Sequence, residues 1–398
     1  EKVSIASFCD ELISDSAGYG LGRVREKFLK SMLLGIEHTD SLNLTSIAGA
    51  LDEGIRLHAT QKRLSRNLDD QILFDFLQNR LLSLTTGDVS EDSWLVVHTY
   101  SLEKRYARKI EYLGPTGRDS DNGFKVCEVL AIEPKKGVYK PLMTHVWSNK
   151  IPDFESDSIE VAQTLDRVLD ATANKGIVFF DDQSVGSELG DFLINRRAFD
   201  YFSMMRSDAA KVVHKDEEWT VRDLFDQIET KYGRTMFKLV PEGMLAKGKT
   251  DLDLFLHAGA LGVKRVNDTR RLTLIALRAK TKRLGEISIP ILTTKTGLRT
   301  RKSLMGLVES FLSIQDVVSL HQEVRARFRP EEFRVLTYRR LRLLFSLLQA
   351  VIVYRIESKG APVIEIPNFA NEPHSGELDR TYLMPRKLDF KQERRVDQ

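Results

Sequence analysis

The chain has 398 residues, 42% of them hydrophobic and 29% charged, the balance of a folded globular protein rather than a disordered one. Its net charge of +3 is too small to imply a polyanionic partner by itself, so any such inference rests on where the charge lies. Two cysteines, Cys9 and Cys127, exclude a disulfide framework and a cysteine-rich zinc site. No signal-peptide pattern is present, and no apolar run approaches the roughly 20 residues of a membrane helix. The longest, Leu341 to Ile356, is interrupted by Arg342, Ser346 and Gln349. The expected compartment is the reducing cytoplasm.

Residues 1–87 read as all helix. Apolar residues recur at helical spacing in Val24, Phe28, Met32 and Leu33, and again in Ile72, Leu73, Phe76 and Leu77. Between them a short helix from about Ser46 to Leu51 is followed by a turn at Asp52 to Gly54 and a basic helix carrying Lys62, Arg63 and Arg66. Helix, short glycine-containing turn, basic helix is the outline of a helix-turn-helix reader of DNA. Many small helical domains also carry three cations on a solvated face, so the outline alone does not assign the function.

From Trp94 the period changes. WLVV (94–97) predicts a short buried strand, and GFKVCEVLAIEP (123–134) and VYKPLMTHVW (138–147) alternate as strands do. Gly117, Asp119, Asp121, Asn122 and Gly123 mark the turn before the second strand. Residues 157–173 return to helical period, and GIVFF (176–180) is a buried central strand bounded by Gly176 and Asp181. A helix from Val185 to Asn195 and a strand from Phe199 to Met204 follow. Three strands, then helix–strand–helix–strand, is the opening order of a ribonuclease-H-like sheet, although other α/β sheets share the pattern. Residues 208–300 mix short strands with one helix (Val221 to Lys231); 270–279 and 286–294 read as strands. Two helices, 303–328 and 333–357, precede a tail rich in proline and charge.

YARKIEYLG (106–114), the stretch 117–131, IPDFESDS (151–158) and GIVFFDDQ (176–183), together with RLSRNL (63–68) and RFRPEEFRVLTYRRLRLLFSLL (327–348), resemble one family. It is the large insertion-sequence group of DDE transposases, which carry a beta-rich insertion before the final catalytic helix. The resemblance covers most of residues 40–357. It implies an α/β fold: a ribonuclease-H-like mixed sheet core with an N-terminal all-helical DNA-binding domain. The implied layout is a helical domain at 1–88, the first part of the core at 89–207, the beta-rich insertion at 208–300, the C-terminal core helices at 301–357 and a tail at 358–398.

The family's chemistry is cleavage and strand transfer of DNA by a pair of divalent metals, which need hard oxygen ligands and therefore three carboxylates. The second aspartate falls on Asp181, at the end of the GIVFF strand, with Asp182 and Gln183 in place of the usual Arg-Gly. The first, eight positions before Tyr106, falls on His98, and a nearby polar acid position on Ser101. The spaced Tyr, Arg, Glu, Lys signature falls on Phe311, Ile314, Val318 and Arg325. One carboxylate of the three is retained, and Asp181 is at most a weak metal ligand. A shifted register offers Glu323 or Glu309 as the third acid and Glu103 as the first; Glu323 reads more readily as a surface pair with Arg327 at i+4.

Cationic residues concentrate. Arg325, Arg327, Arg329, Arg334, Arg339, Arg340 and Arg342 face only Glu331 and Glu332 along that stretch. Arg270, Arg271, Arg278, Lys280, Lys282 and Arg283 have no acid among them, and Arg299, Arg301 and Lys302 follow. Lys104, Arg105, Arg108 and Lys109 form another cluster. Arginine forks suit phosphate, and in a chain of near-neutral total charge such segregation favours a binding face over a random solvated surface.

The reading that results is a transposase-derived protein that binds duplex DNA and has lost its nuclease chemistry, with no small-molecule substrate, no membrane, no metal cofactor, and a homodimer or protein partner as further expectations. On this reading it sits on the nucleoid in the cytoplasm. One alternative is an active DDE transposase using Mg²⁺ or Mn²⁺. Another is an assembly subunit that does not bind DNA.

Overall fold

A computed structural model of the chain describes residues 4–14, 18, 21–104, 106–116, 122–133, 138–181, 199–205, 210–239, 251–266, 270–281 and 285–359. The sequence-predicted helix at 185–195, the turn at 117–121, Arg105, Asp182, Gln183, Lys282, Arg283 and the tail beyond 359 lie outside these residues. The chain divides into two compact units, one of Glu1–Val178, Ser184–Phe199 and His321–Val363, the other of Phe179–Gln183, Asp200–Leu320 and Ile364–Gln398.

The first unit opens with five helices: α1 (Ile5–Ile13), α2 (Arg23–Thr39), α3 (Leu44–Leu51), α4 (Leu57–Asn67) and α5 (Gln71–Thr86). Side chains that would compete with the backbone inside a helix instead start these ones. Asn43 accepts from the Thr45 amide at α3, and Asp70 from the Leu73 amide at α5. The turn between α3 and α4 uses left-handed backbone at Asp52 (φ 39°) and Gly54 (φ 67°), as its composition predicts. It is closed by Glu53, which accepts from Arg63 at 2.6 Å and from Thr60 at 3.1 Å. At the α2–α3 crossing the helices approach so closely that a Cβ on Gly35 would lie 2.4 Å from Ile47 Cγ2.

The sheet of this unit comprises β1 (Trp94–Glu103), the short β2 (Gly114–Pro115), β3 (Asn122–Glu133) and β4 (Val138–Trp147). β3 lies between β1 and β4, antiparallel to both, and the first residues of β5 (Ile177–Asp181) adjoin β1. The first strand is longer than its apolar run predicts. Trp94 to Val97 are buried, but pairing with β3 continues through His98, Tyr100 and Ser101 to Glu103. β3 alternates in sequence yet is buried on both faces from Val126 to Ile132. Helix α6 (Asp157–Ala171) packs on β3 and β4, and α5 and α9 (Tyr338–Lys359) pack on β4.

α9 also meets α2, so it is enclosed between sheet and helical head. Leu341, Leu343, Leu344, Leu347 and Val351 have no exposed surface. This enclosure explains a helix that is apolar all round without being a membrane span; among the described residues no helix is long and apolar enough to cross a membrane. Several of its polar residues are used internally. Gln78 donates to Ser346 at 2.7 Å, Gln349 donates to the Pro141 carbonyl, and Arg355 binds Glu37 and Asp40. The helix begins at Tyr338 rather than 333 because Pro330–Glu332 form a 3₁₀ turn and Phe333 is then buried.

The second unit contains β6 (Asp200–Met204), β7 (Lys211–His214), β8 (Glu217–Thr220), α7 (Val221–Gln227), β9 (Tyr232–Leu239), β10 (Asp251–Arg265), β11 (Leu272–Thr281), β12 (Gly285–Thr293) and most of α8 (Arg301–Ala326). Its strands run in the order β6-β12-β11-β10-β7-β8, with β9 on β10. Phe179, Phe202 and Phe311 form its aromatic centre, with Phe179 and Phe202 centroids 5.8 and 5.6 Å from Phe311.

Gly35→Ala is expected to destabilise the chain by about 1–3 kcal/mol through overpacking against Ile47. In an Ile47→Ala background the same change becomes neutral or stabilising, because the helix-propensity gain of about 1 kcal/mol is then unopposed. Urea denaturation of the four variants in this cycle measures the coupling.

Candidate functional site

The middle of β1 and β3 presents one polar cluster. His98 stands directly across from Glu128 in the antiparallel register, and Tyr100, two residues on, shares the same face. The last turns of α8 supply His321, Gln322 and Arg325, all within the first unit. Glu128 is 3% exposed, in an otherwise apolar run. Its Oε2 accepts from His321 Nε2 at 3.0 Å and from Arg325 NH1 at 2.7 Å, and its Oε1 accepts from the Tyr100 hydroxyl at 3.3 Å. The Arg325 guanidinium lies 3.4 Å from the Tyr100 ring centroid, a stacked cation–π contact.

The electrostatics follow from this packing. Burial alone would push the Glu128 carboxyl up, but the charge of Arg325 and the His321 hydrogen bond outweigh it and hold the group well below the usual carboxylate range. Arg325 is likewise held charged: the Glu128 carboxylate more than offsets its burial. Tyr100 is pushed up by burial and by the neighbouring carboxylate, so its hydroxyl keeps its proton and donates. His98 is half-buried; desolvation, with the positive charge of Arg325, depresses it to about 3. A neutral imidazole can accept at Nε2, and the Gln322 amide donates there at 3.2 Å.

This cluster does not fit a pair of divalent cations. The position expected to carry the first acid is a neutral imidazole, and the nearby carboxylate already has its lone pairs engaged by a guanidinium, an imidazole and a phenol. Val318, at the third acid position, is half-buried and apolar, and helical spacing puts it in line with Gln322 and Arg325. Asp181 ends β5 as its sequence predicts, but its side chain lies outside the described residues. Of the substitutes, Glu309 is buried in the second unit, while Glu323 and Glu103 are exposed in the first. Among the described residues no three His, Cys, Asp or Glu side chains are grouped to hold a metal ion.

The sequence-predicted cations separate into two kinds. Arg325 was expected to meet phosphate; at 9% exposure and bound to Glu128, it is part of the core instead. Lys104 is likewise committed, donating to the carbonyls of Glu331 and Phe333 with its ammonium 3.9 Å from the Phe333 ring. Arg63 closes the α3–α4 turn. Arg339 and Arg340 lie 3.6 and 3.5 Å from Asp69, tying the start of α9 to the turn between α4 and α5. Lys62, Arg66, Arg108, Lys109, Arg327, Arg329, Arg334 and Arg339 are exposed in the first unit, and Arg270, Arg271, Lys280, Arg299, Arg301 and Lys302 in the second. Arg278 is half-buried, 5.4 Å from the Phe225 ring.

The residues that sequence reasoning missed are Glu128, Tyr100, His321 and Gln322. Two signals pointed to them: a lone acid within FKVCEVLAI, and a histidine four residues before Arg325 on the same helix face.

No family model matches the chain, and no curated protein matches it. Among solved structures it is similar to a piggyBac transposase, from a cryo-EM structure of its synaptic complex with hairpin DNA, at 8% identity and a TM-score of 0.37, over 95% of this chain and 87% of that one.

Arg325→Leu is expected to cost about 3–5 kcal/mol by stranding a buried carboxylate, and Glu128→Gln combined with it to cost less than the sum of the two single changes. Guanidinium denaturation of the double-mutant cycle reads this coupling. His98 adds a pH signature. The unfolded imidazole takes a proton near its ordinary 6.5, whereas the folded one resists until about 3, so stability falls as pH drops through that window. His98→Asn is expected to flatten this part of the stability–pH curve.

Proposed function

We propose that this chain is a transposase-derived protein that binds duplex DNA through its exposed cations and whose nuclease cleft is catalytically silent. The observation that carries the reading is the Glu128–Arg325 pair. Where the resemblance calls for an oxygen donor at His98, the neighbouring side chains present a neutral imidazole and bring their own cation to the carboxylate. A two-metal mechanism needs carboxylates converging on ions about 4 Å apart, and a guanidinium already bonded to the local carboxylate opposes that.

The element order supports a ribonuclease-H-like core: three successive antiparallel strands, β1, β3 and β4, then α6 and β5. In such a sheet, ligands sit at the carboxyl ends of strands, where Asp181 falls. DNA binding is supported by the short α3, the glycine-containing turn and α4 with Lys62 and Arg66 exposed, and by contacts that join this head to other cationic segments. Asp69, in the turn between α4 and α5, contacts Arg339 and Arg340, and Lys104 and Glu111 join the 104–111 turn to residues 331–338.

Fluorescence anisotropy with a labelled duplex across salt, with and without Mg²⁺, tests this. The expected outcome is affinity that falls log-linearly with salt, with a slope of about 0.9 per phosphate neutralised. Lys62→Ala and Arg66→Ala should each lower affinity and flatten that slope. No nicking or strand transfer is expected with Mg²⁺ or Mn²⁺. Metal-dependent cleavage that Asp181→Ala abolishes would overturn the silent-cleft reading; absence of binding at low salt would overturn the DNA reading.

A further inference from the structure

Tyr106 is 96% exposed, the most exposed of the large hydrophobic side chains among the described residues. An aromatic ring held in water forgoes the burial that makes aromatic residues valuable in cores. Its turn is nevertheless fastened at both ends. The Ala107 amide donates to the Lys104 carbonyl at 3.0 Å, and the Lys104 ammonium is fixed on the carbonyls of Glu331 and Phe333. At the far end the Glu111 amide donates to the Leu336 carbonyl at 2.8 Å, and Glu111 Oε2 accepts from the Tyr338 amide at 2.8 Å. The backbone on either side of the ring is therefore anchored before any partner arrives.

The surroundings are cationic. Arg108 and Lys109 are exposed on the same turn, and Arg327, Arg329 and Arg334 are exposed on the segment it is fastened to. Of the two glutamates there, Glu332 is paired with Arg329 at 3.4 Å. A projecting aromatic on a turn that also exposes cations matches a nucleic-acid strand, which offers a flat π-face beside a line of phosphates. Within a duplex those faces are covered by neighbouring bases, so a ring projecting from a surface stacks only on a base already out of the helix.

We propose that Tyr106 is a stacking platform for an unpaired nucleobase, with Arg108, Lys109 and Arg334 on the flanking phosphates, so that the chain prefers DNA interrupted by single-stranded nucleotides over intact duplex. This rests on the DNA-binding reading above. The test compares an intact duplex with the same duplex carrying a two-nucleotide gap opposite 2-aminopurine, by anisotropy and by 2-aminopurine fluorescence. The expected result is a preference of about tenfold for the gapped DNA with quenching of the 2-aminopurine. Tyr106→Ala should remove both while leaving duplex affinity unchanged, and Tyr106→Phe should keep both. Equal affinity of the wild-type chain for the two DNAs, or a Tyr106→Ala chain that still prefers and quenches the gapped one, overturns the platform while leaving duplex binding standing. If neither DNA binds at low salt, the exposed cations serve an acidic protein surface and both readings fall together.

Discussion

A carboxylate placed in the middle of a sheet that is covered on both faces has to be neutralised, and the position of Glu128 sets that demand. Removing a charge from water costs several kcal/mol, and only a close counter-charge with its own hydrogen bonds offsets it. Arg325 meets the demand from the last turn of α8, His321 adds a second donor, and the Tyr100 hydroxyl takes the remaining oxygen. The pair thus fixes where α8 ends against β1 and β3. It also bears on His98, whose imidazole is kept neutral chiefly by desolvation, with the charge of Arg325 adding to it.

The demand for internal partners reaches beyond this cluster. The middle of α9 is buried, and several polar residues along the helix find partners within the chain: Ser346 with Gln78, Gln349 with a strand carbonyl, Arg355 with Glu37 and Asp40. Arg342 lies 4.0 Å from the Phe74 ring. Arginines that in sequence form one basic run are therefore divided between architecture and surface. Arg325, Arg340, Arg342 and Arg355 hold elements together, whereas Arg327, Arg329 and Arg334 remain at the surface. The exposed part of the run is therefore smaller than the sequence alone suggests.

Much of the element order was legible from period and punctuation. The 138–147 strand agrees with its predicted bounds, the α3–turn–α4 outline follows from Asp52, Gly54 and the basic spacing, and the GIVFF strand runs one residue past its apolar run, to Asp181. The strand beginning at Trp94 was read too short because its second half turns polar: His98, Thr99, Tyr100 and Ser101 pair with β3 without a continuous apolar signature. The start of α9 was read too early, since helical period continues through Phe333 and Val335 although that segment is fastened to Lys104 and Glu111 instead.

By itself the sequence determined the helical head, the alternation of strands and helices, and the segregation of positive charge, because each depends on neighbours along the chain. Only the tertiary structure decided what those charges do. Whether Arg325 meets a phosphate or a carboxylate depends on Glu128, nearly two hundred residues away in sequence, and no local pattern encodes that distance. The same holds for Lys104, whose partners are the carbonyls of Glu331 and Phe333, and for Tyr106, whose exposure is a property of the surface and not of the residues beside it.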